Sequence, residues 1–196
     1  MPHVHHSPAA FTAHYRDQLV SLMDKLDMDA INRAIEWFSE AREHGRTIFV
    51  CGNGGSAATA SHFVCDILKG ASYQRQTRFK IMAFTDNLAT ITAYSNDVSY
   101  NHVFTEQLRN FANPGDLFMA ISGSGNSSNV VEAMECANTL GLRTIALTGR
   151  DGGKLGRVAQ LNVRAAEPHM GRIEDAHMII CHMIGYYFME ELSRTA

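Results

Sequence analysis

The sequence is poor in charge and lacks the usual signals of export or membrane insertion. Charged residues make up 19% of its 196 residues, below the average of about 25%, and the formal net charge is −3. The pI near 6.3 argues against general binding to a polyanion such as nucleic acid, because such domains usually carry a basic excess. No apolar stretch approaches the ~20 residues of a membrane helix, and the N-terminus does not resemble a signal peptide. We therefore expect a cytoplasmic protein that binds neither nucleic acid nor membrane.

The sequence also has no CxxC pair, so neither a zinc ribbon nor a dithiol redox motif is indicated. Its four cysteines are widely spaced, and we expect Cys51, Cys65 and Cys181, which lie among apolar residues, to be reduced core residues. Three of the ten histidines (His3, His5 and His6) fall in the first six residues. They are typical of a frayed or tag-like end, where any metal affinity would be incidental.

Strand and helix patterns alternate along the chain, and 45% hydrophobic residues suffice for one packed core. Two amphipathic helices are predicted first, at 9–25 and 29–44, with Gly45 ending the second. Short apolar runs predict strands at 47–51, 80–84, 116–122, 143–149 and 161–165. Helical patterns follow at 56–69, 87–95, 100–111, 127–140, 153–159 and 172–193. This alternation predicts an α/β fold: a three-layer α/β/α domain around a five-stranded parallel sheet. One domain spans 1–196, with two helices in 1–45 and the core in 46–196.

Two glycine- and serine-rich loops directly follow predicted strands and open helices. The first is Gly52-Asn53-Gly54-Gly55-Ser56, and the second runs from Ser122 to Ser128. Backbone N–H groups at a helix start, with serine hydroxyls and close-approaching glycines, suit a phosphate without any Lys or Arg. The same residue types also favour tight turns and helix N-caps. Neither loop matches a dinucleotide or P-loop fingerprint, so a phosphorylated small molecule is favoured.

Histidines and carboxylates recur on two predicted helices. His62 and Asp66 are four residues apart and share one helix face. The last helix carries Glu174, Asp175, His177 and His182. Two histidines with two carboxylates suit Zn²⁺ or a similar divalent cation. Spacing alone does not decide between a metal site, a proton relay and a buried ion pair, nor between His177 and His182.

Taken together, these motifs resemble the phosphoheptose isomerases of the sugar isomerase (SIS) domain superfamily, whose sheet is flavodoxin-like. The resemblance covers nearly the whole chain. It rests on CGNGGSA, the spaced His62, TAYSNDVSYNHVF, PGDLFMAISGSGNS, TIALTGRDGGKL and RIEDAH. The implied reaction is the aldose–ketose isomerisation of sedoheptulose 7-phosphate to D-glycero-D-manno-heptose 7-phosphate through a cis-enediol. The resemblance also implies a homotetramer that packs through its N-terminal helices, and a role in heptose synthesis for lipopolysaccharide.

The resemblance assigns roles to individual positions. Asp66 and His182 would be the acid/base pair. One Zn²⁺ per subunit would be held by His62, Asp66, Glu174 and His182. Substrate contacts are implied for three groups of residues: Asn53, Gly54, Gly55 and Ser56 in the first loop; Ser122, Gly123, Ser124 and Ser127 in the second; and Asn96, Asp97, Asp66 and Glu174 elsewhere.

The chain departs from the family pattern at two important positions, and Gly123 also replaces a common hydroxyl residue in the second loop, a minor loss of one donor. Asp66 stands where the family usually has Glu, and Glu174 stands where it usually has Gln. Two interpretations are open: the pair is compensatory, since both positions keep an oxygen ligand and one carboxylate base, or it marks a subgroup with another substrate. Two alternative functions follow. One is an isomerase of another phosphosugar, and the other is a non-catalytic SIS protein that binds sugar phosphates in a regulatory role, like the relative that associates with the bacterial replication initiator.

Overall fold

A computed structural model describes residues 7–193, and it begins with the two helices that the sequence predicts. These are α1 (Pro8–Met23) and α2 (Met28–Glu43). The side chains of Ser7 and Asp27 cap them, each accepting a hydrogen bond from the backbone N–H three residues later. Gly45, with φ of 63°, follows the end of α2 in the left-handed conformation that glycine adopts readily. His3, His5 and His6 lie outside the described residues.

Strands and helices then alternate through the rest of the described chain. The strands are β1 (Thr47–Gly52), β2 (Lys80–Ala83), β3 (Leu117–Ser122), β4 (Arg143–Gly149) and β5 (Leu161–Ala165). The helices are α3 (Gly55–Cys65), α4 (Leu88–Asp97), α5 (Thr105–Phe111), α6 (Ser128–Thr139), α7 (Gly153–Val158) and α8 (Met170–Ser193). No helix among the described residues is long and apolar enough to cross a membrane.

The five strands form one parallel sheet in the order β2-β1-β3-β4-β5. The chain moves from β1 to one side of the sheet and from β3 to the other, so the connections reverse direction between these two neighbours. In open parallel sheets a ligand crevice forms at such a switch point, outside the carboxyl ends of the strands. The two predicted loops follow β1 and β3 and therefore meet there. The predicted α/β fold class and strand number are confirmed.

Two hydrophobic cores cover the two faces of the sheet and make three layers. On one face, Ile48 and Val50 of β1 pack with residues of α2, α3 and α8. On the other face, Phe49 and Cys51 pack with residues of α5, α6 and α7. All six residues of β3 are buried because this central strand is covered on both sides. The face that carries α3 and α8 also carries the predicted histidines.

Three local features differ from the sequence-based expectation. The predicted helix 56–69 is α-helical only to Cys65, and Asp66–Gly70 forms a π-helical turn in which the Ala71 N–H bonds to the Asp66 carbonyl. The predicted helix 100–111 is divided into a 3₁₀ turn (Tyr100–His102) and α5. Cys65 is exposed rather than in the core, because the neighbouring Val64 and Phe63 occupy the inward face of α3.

Candidate functional site

The first loop connects β1 to α3 and brings its backbone close to two other elements. A Cβ at Gly52 would lie 2.8 Å from Ser56 atoms, so the turn requires glycine there. Gly54, with φ of 54°, precedes α3 and provides no side-chain cap. A Cβ at Gly55 would lie 2.8 Å from Oε1 of Glu174, which shows how closely α8 approaches the start of α3. The loop is therefore a tight backbone turn at the switch point.

The second loop connects β3 to α6 and brings three hydroxyl groups together. Ser122 Oγ lies 3.5 Å from Ser124 Oγ and 3.4 Å from Ser127 Oγ. Ser127 occupies the N-cap position of α6 but its side chain makes no capping hydrogen bond, so its hydroxyl is available to a ligand. Gly125, at φ of 65°, packs directly on the backbone of Gly152. Donors thus converge at the N-terminal, partially positive end of α6.

The two loops enclose a cavity of about 300 Å³ at the β1/β3 switch point. It is lined by Asn53, Gly54, Gly55, Ser56, Ile121, Ser122, Gly123, Ser124, Ser127, Met170 and Glu174. Nine of these positions are predicted substrate contacts, and the lining contains no Lys or Arg. Hydroxyl and backbone donors at a helix start can bind a phosphate, so the lack of Lys and Arg does not exclude an anionic ligand. Glu174 is the one charged residue of the lining, and an anion is favoured at the serines of the second loop, away from its carboxylate.

Three of the predicted metal ligands meet beyond this pocket, between α3 and α8. His62 Nε2 lies 3.3 Å from Asp66 Oδ2, and His182 Nε2 lies 3.7 Å from the same oxygen. The two Nε2 atoms are 3.2 Å apart. The i,i+4 spacing places His62 and Asp66 on one face, and the π-helical turn begins at Asp66 itself, as such turns often do at functional sites. These three residues are called the His–Asp–His cluster below.

The donor set of the cluster fits a divalent cation. Bonds of 2.0–2.2 Å in tetrahedral geometry separate neighbouring ligand atoms by about 3.4 Å, and the three observed separations are 3.2, 3.3 and 3.7 Å. Two imidazole nitrogens and one carboxylate oxygen are suitable ligands for Zn²⁺ and related ions. Three protein ligands would leave a coordination position for substrate, as in catalytic rather than structural zinc sites.

Glu174, the fourth predicted ligand, lies with the pocket instead of with the cluster. It precedes His182 by eight residues, or about 12 Å along the axis of α8, and its carboxylate contacts the start of α3 at Gly55. The compact group of candidate ligand atoms among the described residues contains His62, Asp66 and His182 without it. The position of Glu174 is therefore compatible with its predicted substrate contact, while its role as a metal ligand stays a prediction.

The predicted Asn96–Asp97 pair lies outside the pocket lining. Both residues are exposed in the last turn of α4, where Asn96 Nδ2 donates a hydrogen bond of 2.7 Å to Asp97 Oδ1. The 3₁₀ turn that follows them does contact the first loop, because the Tyr100 hydroxyl donates to Asn53 Oδ1 at 2.7 Å. The structure thus brings together the loop residues and the His–Asp–His cluster on neighbouring elements, but it does not bring this pair into the pocket.

Two acidic residues near the start of α8 anchor that helix. Asp175 accepts a hydrogen bond of 2.5 Å from the Tyr15 hydroxyl of α1 and takes no part in the cluster. Burial, followed by this contact with the Asp175 carboxylate, raises the pKa of Tyr15 to about 12. Arg172 forms a largely buried ion pair with Glu167, which precedes α8. These contacts hold the end of α8 that presents Glu174 and Met170 to the pocket.

The structure also separates the two histidines that spacing could not. His182 belongs to the cluster, whereas His177 is 1% exposed and faces the core. Neither ring nitrogen of His177 has a hydrogen-bond partner among the described residues. Burial lowers the pKa of His177 to about 4. His177 is therefore a neutral core residue at physiological pH.

Sequence reasoning missed two residues that shape the pocket. Asn129, on the first turn of α6, forms hydrogen bonds with Asn53 across the two loops. Tyr100 joins the same group. No local pattern distinguishes them, because Asn near a helix start is ordinary and Tyr100 lies in a segment predicted to be regular helix. Their partners are distant in sequence, so only the fold reveals the contact.

Comparison with known proteins agrees with this fold. The SIS domain family matches residues 14–149, more than half of the chain. Phosphoheptose isomerase from Aliarcobacter butzleri is 36% identical over 93% of this chain and 95% of its own. A probable phosphoheptose isomerase from Thermoplasma volcanium is 45% identical over 71% of each chain. The solved structure of phosphoheptose isomerase from Neisseria gonorrhoeae superposes with a TM-score of 0.86 at 29% identity, covering 93% of this chain and 98% of that one.

The fold and the site at its switch point thus define an α/β/α SIS domain with a polar pocket and a neighbouring His–Asp–His cluster. The relatives identify the family within this class, because phosphoheptose isomerases match most of the length of this chain at more than 30% identity. The chain belongs to the phosphoheptose isomerase family, and it is an isomerase.

Proposed function

We propose that this protein converts sedoheptulose 7-phosphate to D-glycero-D-manno-heptose 7-phosphate. The observation that carries the proposal is the pairing of a phosphate-suited pocket with a His–Asp–His cluster on the same two helices. α3 begins at Gly55 in the pocket and reaches His62 seven residues later. α8 presents Glu174 to the pocket and His182 to the cluster. One substrate lying along these helices can contact both parts.

The pocket would bind the phosphate through neutral donors. The hydroxyl groups of Ser122, Ser124 and Ser127 converge within 3.5 Å of Ser122 Oγ, and α3 and α6 both begin beside the same cavity, whose lining includes Gly55 and Ser127. Hydrogen bonds from hydroxyl groups to a charged phosphate are stronger than those between neutral groups. Holding the phosphate fixes where the other end of the sugar lies, which reduces the entropic cost of reaction.

The length between pocket and cluster favours a long sugar phosphate. Seven residues of α3 separate Gly55 from His62, or about 10 Å along the helix axis. An extended seven-carbon chain with a terminal phosphate spans a comparable distance, so its C1 and C2 atoms can reach the cluster while the phosphate stays in the pocket. A three-carbon or four-carbon phosphate cannot do both. This supports a long sugar phosphate over three- and four-carbon ones, and the seven-carbon substrate is proposed among the longer ones from the family.

The acid/base steps are assigned to Asp66 and His182. In the forward direction one of them takes the proton from C1 of the ketose, and that proton is later delivered to C2. The partner moves a proton between O1 and O2, so that a cis-enediol of the sugar forms and then collapses to the aldose. No oxidant or reductant is needed, since two hydrogens only change position. Each side chain has a second polar atom, Oδ1 of Asp66 and Nδ1 of His182, besides the atom that faces the cluster.

A divalent cation, proposed to be one Zn²⁺ per subunit, would be held by His62, Asp66 and His182. Such an ion supplies Lewis-acid polarisation of the substrate carbonyl oxygen. The support for it is the donor set and the separations of its atoms, 3.2 to 3.7 Å. Glu174 would instead contact hydroxyl groups of the sugar from the pocket wall, where its carboxylate accepts hydrogen bonds.

The proposal is tested by incubating the purified protein with sedoheptulose 7-phosphate and following formation of the aldose. The assay is run as purified, after chelation, and after chelation with Zn²⁺ added back. We expect turnover that falls on chelation and returns with Zn²⁺. A parallel series with five- and six-carbon ketose phosphates tests the chain-length argument.

Other outcomes would favour the alternatives. Turnover of a shorter ketose phosphate without turnover of the seven-carbon substrate would indicate an isomerase of another phosphosugar. Tight binding of sedoheptulose 7-phosphate without turnover in any metal condition would favour a regulatory binding protein and contradict the proposed reaction.

We further propose the homotetramer and the cytoplasmic location expected from the sequence. Apolar side chains on the outer surfaces of α1 and α8 support assembly, since Phe11, Val20, Met183, Tyr186 and Tyr187 are exposed. The four cysteines are free, in keeping with a reducing compartment. Light scattering on the purified protein should give about four times the 21.7 kDa chain mass. A monomer mass would contradict the assembly and the interface role of the N-terminal helices.

A further inference from the structure

Two side-chain amides join the loops that form the pocket. Asn53 lies in the loop after β1, and Asn129 lies 76 residues later on the first turn of α6, after the second loop. Asn53 Nδ2 donates to Asn129 Oδ1 at 2.8 Å, and Asn129 Nδ2 donates to Asn53 Oδ1 at 2.9 Å. The two amides therefore form a reciprocal pair, in which each side chain donates one hydrogen bond to the other. Asn129 is only 2% exposed, so the pair is protected from water on that side.

Further contacts use the remaining acceptor positions of both amides. The Tyr100 hydroxyl donates to Asn53 Oδ1 at 2.7 Å, and the Val130 N–H donates to Asn129 Oδ1 at 3.0 Å. Each carbonyl oxygen thus receives two hydrogen bonds, which is its full capacity. The Asn53 side chain keeps only one amide hydrogen for a ligand, although this residue is a predicted substrate contact. Most of its hydrogen-bonding capacity is used inside the protein.

A second contact connects the same elements. Ser128 Oγ donates to Asn101 Oδ1 at 2.7 Å, so the 3₁₀ turn that carries Tyr100 is also bonded to the start of α6. The first loop, the 3₁₀ turn and α6 are thereby held together at three points. A phosphate in the pocket needs donors from both loops at once. The distance between the loops therefore decides whether the phosphate can accept hydrogen bonds from both.

We propose that Asn129 is a positioning residue that sets the distance between the two phosphate-binding loops through its reciprocal amide pair with Asn53. The proposal rests on the proposed function insofar as the ligand is a sugar phosphate. The Asn129 side chain acts through Asn53 and is not part of the pocket lining. Its contribution is preorganisation: with the loops already ordered, binding does not have to supply the entropy of ordering them.

The main test is Asn129→Asp, which keeps the shape of the side chain. The carboxylate still accepts from Asn53 Nδ2, but it cannot donate to Asn53 Oδ1, and it places one oxygen against another. We expect calorimetry with sedoheptulose 7-phosphate to show an affinity about tenfold weaker or more. KM should rise in parallel while kcat stays within about threefold, since the cluster is not altered.

Asn138→Asp is the matched control on the same helix. Asn138 Nδ2 donates to the Val158 carbonyl at 2.8 Å, so this substitution also removes one amide donor. Asn138 lies nine residues further along α6, remote from the pocket. We expect a comparable loss in melting temperature but unchanged affinity for the sugar phosphate. Equal effects of the two variants on affinity would overturn the proposal, because they would reflect general destabilisation.

The pH dependence gives a rescue that a purely structural role would not show. Once protonated, the carboxyl group introduced by Asn129→Asp can again donate to Asn53 Oδ1 and restore the reciprocal pair. The ratio of the variant to wild-type dissociation constant should therefore fall as pH is lowered from about 8 to about 5. A ratio that does not change with pH would contradict the amide pair as the cause.

Tyr100→Phe keeps the proposal testable if Asn129→Asp does not fold. Tyr100 is half exposed, and the substitution removes only the hydroxyl that donates to Asn53 Oδ1. We expect an affinity about threefold weaker, and an unchanged affinity would overturn the proposal.

The result with the wild-type protein separates the proposed reaction from the positioning role of Asn129. Binding without turnover defeats the proposed reaction but leaves the affinity comparison valid, whereas absence of sugar-phosphate binding to wild type defeats both.

Discussion

The His–Asp–His cluster and the two-loop pocket are adjacent, but they are stabilised in different ways. The pocket consists of backbone turns that are fixed by hydrogen bonds between its loops, and Ser56 and Ser122 are nearly buried in it. The cluster consists of three side chains on two helices, and the side chains of His62, Asp66 and His182 are 50%, 23% and 41% exposed. The pocket, where we propose that the phosphate binds, is thus preformed, while the cluster, where we propose that the chemistry takes place, is accessible from outside.

This difference has a physical reason. A phosphate must be bound by many weak donors held at fixed positions, so the loops that carry them have to be rigid. Acid/base groups must instead exchange protons with the substrate and therefore have to be accessible. Three of the four predictions below test whether the pocket and the cluster can be altered independently, and the fourth concerns His177 on the helix that joins them. They are given in order of decreasing expected effect.

The cluster should determine turnover and leave phosphate binding intact. Asp66→Asn and His182→Ala each remove one proton-transfer group, for which general acid/base catalysis contributes about 10²–10⁴-fold. We expect kcat to fall by about a thousandfold, with sugar-phosphate affinity and melting temperature close to wild type. Asp24→Asn, an exposed carboxylate at the end of α1, is the control and should keep full activity. Near-normal rates in either cluster variant would refute the catalytic assignment.

His177 lies on α8 between the residues of the two parts and should govern the acid stability of the fold. Its pKa is about 4 in the folded state against 6.5 in the unfolded chain, so below pH 6.5 the unfolded chain binds a proton that the folded protein does not. Stability should therefore fall by roughly 3 kcal/mol as pH is lowered from about 7 to about 4. Denaturant unfolding at a series of pH values measures this slope.

His177→Leu should flatten the pH dependence, because Leu has a similar size and does not titrate. His44→Gln, at an exposed histidine following α2, should leave the wild-type slope unchanged. An equally steep slope in the His177 variant would show that other groups cause the loss of stability at acid pH.

The serine hydroxyls should affect binding rather than chemistry. Ser124→Ala and Ser127→Ala each remove one donor to a charged phosphate, so we expect KM to rise about tenfold with kcat nearly constant. Steady-state kinetics with sedoheptulose 7-phosphate measures both constants. Ser39→Ala, whose hydroxyl bonds to Glu43 on α2, should leave KM unchanged. A loss confined to kcat would mean that the pocket is not the phosphate site.

Glu174→Gln tests whether Glu174 belongs to the pocket or to the His–Asp–His cluster. We expect its effect on Zn²⁺ affinity to be the smallest of the four effects. From its contact with Gly55 we expect Zn²⁺ affinity to change by less than about threefold, whereas His62→Ala should lower it by at least about tenfold. Competition with a chromogenic chelator measures the Zn²⁺ affinity of both variants without relying on turnover. If Glu174→Gln weakened Zn²⁺ binding as much as His62→Ala, Glu174 would belong to the ligand set after all.

Much of the fold was predictable because the signals are local. The buried apolar runs located all five strands to within about one residue at each end. The i,i+4 spacing of His62 and Asp66 indicated a shared helix face, and the two come within 3.3 Å. The prediction failed where tertiary contacts changed local structure. The turn at Tyr100–His102 interrupts a predicted helix while Tyr100 and Asn101 bond to the two loops.

The sequence by itself determined the layers, the parallel sheet and the two loops, because hydrophobic periodicity and glycine-rich turns act over short stretches of chain. Only the tertiary structure decided where Glu174 lies and that Asn53 bonds to Asn129, and it alone brought His182, which the family resemblance had assigned, to Asp66. Each of these depends on how two helices or loops pack across the sheet. Residues 76 or 120 positions apart meet only once the whole sheet has formed.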